Sequence, residues 1–73
     1  MLNAERTKEI INSFYEDCVK FWIREGRETT EARRLAIRDC EELKHDPFSP
    51  CGEELDLKAK DEFLEKLRKF ELR

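Results

Sequence analysis

The chain has 73 residues, 45% of them charged and 38% hydrophobic, with a formal net charge of −3. That length is room for one domain and lies near the lower limit for a self-sufficient core, so any burial against a partner matters to stability. Fifteen Lys and Arg interleave with eighteen Asp and Glu, the pattern of solvated helix faces and not the basic stripe that displaces counterions from nucleic-acid phosphates.

Only two Gly and two Pro interrupt the sequence, and its Glu, Lys, Arg and Leu are good helix formers, so composition favours helix over strand. Five Phe, one Tyr and one Trp recur at helical spacing and can fill a core, which argues against disorder. The expected fold class is all-α, a small three-helix bundle forming a single helical domain over 1–73. No apolar run approaches the ~20 residues needed to cross a bilayer. Three Cys, an odd number, without a signal-peptide pattern, point to a reducing compartment, and the expected location is cytoplasmic with no membrane contact.

The first helix is expected over about 4–25. Asn3 suits the N-cap, Glu5 the positive end of the helix dipole, Arg24 the last turn, and Gly26 the left-handed exit. Its apolar residues are Ile10, Ile11, Phe14, Tyr15, Cys18, Val19, Phe21, Trp22 and Ile23. At 100° per residue they cover an arc of about 220°, wider than one neighbour hides, so this helix is expected to be the longest and most buried element. Val19 and Ile23 fall at the uncovered edge of the arc.

The second helix is expected over about 30–44, capped by Thr29 or Thr30, with Ala32, Leu35, Ala36, Cys40 and Leu43 as one stripe and Ile37 beside it. Residues 45–56 form a loop in which Pro47 and Pro50 break the helical pattern. A single helical turn is plausible there, with Phe48 anchoring the loop to the core. The third helix is expected over about 57–72, capped by Asp56, with Leu57, Phe63, Leu64, Leu67 and Phe70 on one face. The expected core is Phe14, Cys18, Phe21, Leu35, Cys40, Leu43, Phe63, Leu64 and Leu67.

Chemistry-bearing constellations are sparse. Cys18, Cys40, His45 and Cys51 are formally a Cys₃His zinc set, but C-x₄-H-x₅-C is no standard ligand knuckle, and Cys18 and Cys40 fall on apolar faces where a thiol is an ordinary small hydrophobe. The expectation is reduced thiols, no metal and no cofactor. Arg24, Arg27, Arg33, Arg34 and Arg38 cluster at the corner between the first two helices and are candidates for an anion or nucleic acid. Glu25, Glu28 and Glu31 interleave with them and favour a solvated face. One His, no Gly-rich phosphate loop and no nucleophile–base spacing give no basis for an enzyme.

The functional expectation is therefore a helical protein–protein interaction module, accessory or regulatory. A nucleic-acid module using Arg27, Arg33, Arg34 and Arg38 is the alternative, and a zinc-stabilised module the third. The candidate contact residues are Val19, Trp22, Ile23, Ile37 and Phe48. Either a homodimer or another protein covers them, or the Pro-containing loop folds back over them with Phe48.

Overall fold

In the computed structural model, which describes residues 2–71 (the side chain of Glu71 apart), the chain forms three helices: α1 (Ala4–Arg24), α2 (Thr29–Glu42) and α3 (Leu57–Glu71). No strand occurs among the described residues; one isolated antiparallel bridge joins His45 and Glu54. The fold is an all-α three-helix bundle.

Each end of α1 is closed by its own local chemistry. The Asn3 side chain accepts from the Arg6 N–H at 2.8 Å, satisfying one of the orphan donors of the first turn. At the other end the Gly26 N–H reaches the Ile23 carbonyl and the Arg27 N–H reaches the Trp22 carbonyl, each at 3.0 Å. That pair of bonds is a Schellman motif, and it needs the left-handed residue that Gly26 supplies at φ 97°. The corner is so short that α2 begins at Thr29, with Glu28 as an N-cap that makes no side-chain hydrogen bond. The expected Thr cap is not formed. The Arg27–Glu31 ion pair, 2.7 Å, braces this turn instead.

The far end of α2 is set by a residue from α3. Lys60 is buried, and its Nζ donates to the Glu41 carbonyl at 2.9 Å and the Leu43 carbonyl at 2.6 Å. Carbonyls that have lost their helical partners are thus capped by an amine, and α2 stops at Glu42 rather than continuing to Lys44. Beyond it the chain makes a hairpin-like excursion. The Asp46 N–H donates to the Glu53 carbonyl at 2.8 Å and the Leu55 N–H to the Lys44 carbonyl at 3.1 Å. The single helical turn expected here is replaced by an Asx turn in which Asp46 Oδ1 accepts from the Phe48 N–H at 2.8 Å. That turn carries Phe48 to the tip, where it is 52% exposed, so Phe48 is not the anchor. Leu55, 1% exposed, and the buried Asp46 hold the loop to the core.

Asp56 caps α3, its Oδ1 accepting from the N–H groups of Lys58 and Ala59. Its own N–H donates to the buried Thr7 Oγ1 at 3.0 Å. That bond starts α3 level with the first turns of α1, so the two helices run parallel and α2 runs back between them. Leu72, the expected end of α3, lies outside the described residues.

The core is Ile10, Ile11 and Tyr15 from α1, Ala36, Ile37 and Cys40 from α2, Leu55 from the loop and Leu64 from α3. Phe14, Cys18, Leu43, Phe63 and Leu67 pack against its margin, and Leu35 is half-buried. Three expectations are corrected. Phe21 is half exposed, because it sits at the α1–α2 corner and meets Trp22 edge-on, centroids 5.1 Å apart, instead of the core. Ile37 is buried, because it packs into the core with Ala36, Cys40 and Leu64, with Arg34, Arg38 and the Arg68–Glu41 pair at its outer edge. The burial of α1 ends at Tyr15: Thr7, Ile10, Ile11 and Tyr15 are its buried residues, and none lies in the turns beyond.

Candidate interaction surface

The second half of α1 and the last turns of α3 share an open cleft of about 350 Å³, lined by Asn12, Tyr15, Glu16, Val19, Lys20, Arg33 and Leu67. Helical spacing extends both apolar walls toward the same end of the bundle. Ile23 follows Val19 by one turn on α1, and Phe70 follows Leu67 by one turn on α3. Ile23 is 46% exposed and Phe70 77%. Arg33 takes a position on the core-facing side of α2, one turn before the buried Ile37. A long charged side chain there leaves the apolar filling of the core unfinished at this end.

The expected contact residues thus part company. Val19 and Ile23 belong to this end. Trp22 is half-buried, its Nε1–H donating to Asp39 Oδ2 at 3.0 Å between α1 and α2. Ile37 lies inside, and Phe48 lies over the outer face of α1 beside Arg6, Glu9, Ile10 and Ser13. Leu67 and Phe70 were legible only as a helix stripe. That the stripe outruns its neighbours depends on where α2 turns, which periodicity does not encode.

Asp39 also organises the thiols. Burial pushes the Cys18 thiol up to about 11, helped by the charge of Asp39 and by the hydrogen bond the thiol donates to it. Burial likewise pushes Cys40 up to about 12, with Cys18 and Asp39 nearby. Both thiols are therefore held protonated, the state least suited to metal ligation or nucleophilic attack. Cys51 is exposed at the loop tip, and the backbone of His45 forms an isolated antiparallel bridge with that of Glu54. Among the described residues no three His, Cys, Asp or Glu side chains are grouped so as to hold a metal ion.

The arginines of the corner have different neighbours. Arg27 is paired with Glu31, Arg33 lines the α1–α3 cleft, and Arg34 and Arg38 flank Ile37 beside the Glu41–Arg68 pair. No helix among the described residues is long and apolar enough to cross a membrane. Comparison with protein-family models, with curated proteins and with solved structures finds no match to this chain.

Proposed function

We propose that the chain is a helical protein–protein interaction module that binds through the apolar end of the α1–α3 cleft. The observation that carries this reading is the exposure of Ile23 and Phe70 on the extension of the two cleft walls. A small domain that leaves a Phe and an Ile in water at one end forgoes burial it can ill spare, since each such side chain contributes roughly 1.5–3 kcal/mol when covered. Aromatic anchors near the centre of an interface carry much of its affinity, a role that fits Phe70. The charged residues around the cleft, Glu16, Lys20 and Arg33, then form the polar rim.

The test uses the full chain as bait in the cell that makes it, beside the variant Ile23→Glu/Phe70→Glu. Both residues stand in solvent, so the variant is expected to keep the helical circular dichroism of the original chain. The expected result is a protein retained by the original chain, a further copy or another protein, and lost with the variant. Retention of the same proteins by both would overturn the reading.

A further inference from the structure

We infer that the α2–α3 seam holds a binding site for a phosphomonoester dianion, formed by Arg34, Arg38 and Arg68 around Ile37. The site shares no lining residue with the α1–α3 cleft and does not rest on the interaction reading above. Its cavity is about 380 Å³ and is lined by those four residues and Glu41. Arg34 and Arg38 stand one turn apart on α2, and Arg68 comes to the same cavity from α3. Ile37 lies between the two α2 arginines and is 4% exposed, so it forms the floor. Arginine stems pack readily on such an apolar floor and leave their guanidinium heads in solvent.

The carboxylates of this region are engaged or stand outside it. Glu41 is paired with Arg68, Glu31 with Arg27 at 2.7 Å and Glu65 with Lys69 at 3.6 Å. Glu42, four residues after Arg38, is exposed and does not line the cavity. Neither Arg34 nor Arg38 makes an ion pair among the described residues. Like charges four residues apart on a helix repel one another. A dianion between them turns that repulsion into attraction.

Three guanidiniums against one carboxylate leave an excess of positive charge at this cavity, in a chain whose net charge is −3. A phosphomonoester carries close to two negative charges at neutral pH and offers three acceptor oxygens. Those oxygens suit two unpaired guanidinium forks with a third beside them. A carboxylate is satisfied by a single fork and leaves the other arginine unmatched. The basic patch is also bounded by acid. Glu31 precedes Arg34 by one turn, Glu42 follows Arg38 by one turn, and Glu65 precedes Arg68 by one turn. An extended polyanion laid across the patch meets those carboxylates, so the arrangement suits one phosphoryl group and not a nucleic-acid backbone.

The experiment follows the arginine Nε–H signals of the purified, isotope-labelled chain by NMR. The probes are a glycine-flanked phosphoserine peptide, its unphosphorylated form, inorganic phosphate, acetate and a single-stranded oligonucleotide. Both phosphate probes are expected to shift the Arg34, Arg38 and Arg68 signals saturably at about pH 7. A peptide bound roughly tenfold or more tightly than inorganic phosphate assigns the group to a phosphorylated protein. A smaller preference, or none, assigns it to small phosphate compounds. Arg34→Gln/Arg38→Gln changes two exposed side chains and is expected to keep its helical circular dichroism. It is expected to weaken both phosphate probes roughly tenfold or more. No saturable shift from either phosphate probe, or binding undiminished in the Gln variant, would overturn the inference. So would acetate or the unphosphorylated peptide acting as strongly as phosphate, or the oligonucleotide bound in preference to both phosphate probes.

Discussion

Asp39 shows how one side chain joins two helices. It accepts from the Trp22 indole at 3.0 Å, so a polar bond ties α1 to α2, and its charge lies close to the Cys18 thiol. Trp22→Phe keeps a ring and removes the indole donor. It is expected to lower stability by about 1–2 kcal/mol, the worth of a hydrogen bond to a charged acceptor in a partly exposed site, measured by urea unfolding. The thiols give a second expectation. Cys51 should react with a thiol reagent in the folded chain at neutral pH, Cys18 far more slowly and Cys40 only after unfolding, because Cys40 is buried, Cys18 partly so, and both are held protonated. A pH dependence follows with a fixed sign. Raised from 9.0 to about 11 and about 12, both thiols keep their protons longer when folded than when unfolded. Their contribution is fully present below about pH 9 and is lost as pH climbs through the folded values. Unfolding midpoints should fall more steeply above pH 9 for the original chain than for Cys40→Ala. Apolar position made Cys18 and Cys40 legible as core thiols in the sequence; the partnership with Asp39 was not, since it depends on the rotation of α2 about its axis.

At the scale of elements, the signals written into the chain locally are the ones that hold. Asn3, Gly26 and Asp56 perform the caps their types suggest, because a cap needs only a few neighbouring residues. The ends that depend on distant groups were not legible. Where α2 stops depends on Lys60, eighteen residues beyond Glu42 and coming from another helix, and a Lys in a charged helix carries no mark of being buried. Lys60→Met should keep the stem packed while leaving the Glu41 and Leu43 carbonyls without their donor. The expected loss is about 1–3 kcal/mol, the cost of unsatisfied buried acceptors, with fraying of the last turn of α2 seen as faster amide exchange there. Equal exchange in the original and the variant would mean that water caps this end as well as the amine does. Asp56→Ala is expected to cost about 1 kcal/mol in the same assay.

For the molecule as a whole, helical periodicity identified the three stripes and their shared core, and Leu64 is the residue through which α3 contributes most fully. Leu64→Ala should cost about 2–5 kcal/mol, whereas Phe70→Ala should stay within about 0.5 kcal/mol for the isolated chain, although both belong to one stripe. A stripe fixes which way a residue faces, and the lengths of the neighbouring helices fix whether anything lies there. The wide apolar arc of α1 was legible, and with it Val19 and Ile23. The sequence pattern turns Phe21 inward and Ile37 outward, and the structure reverses both, because the corner and the α2–α3 seam are tertiary facts. The central claim is that the α1–α3 end makes protein contacts. Photo-crosslinking in the native cell tests it most directly, with p-benzoylphenylalanine in place of Phe70 and, as control, in place of the exposed Lys58. The account predicts a discrete crosslinked adduct from position 70 and none from position 58. No adduct from position 70, or the same adducts from both positions, would contradict it.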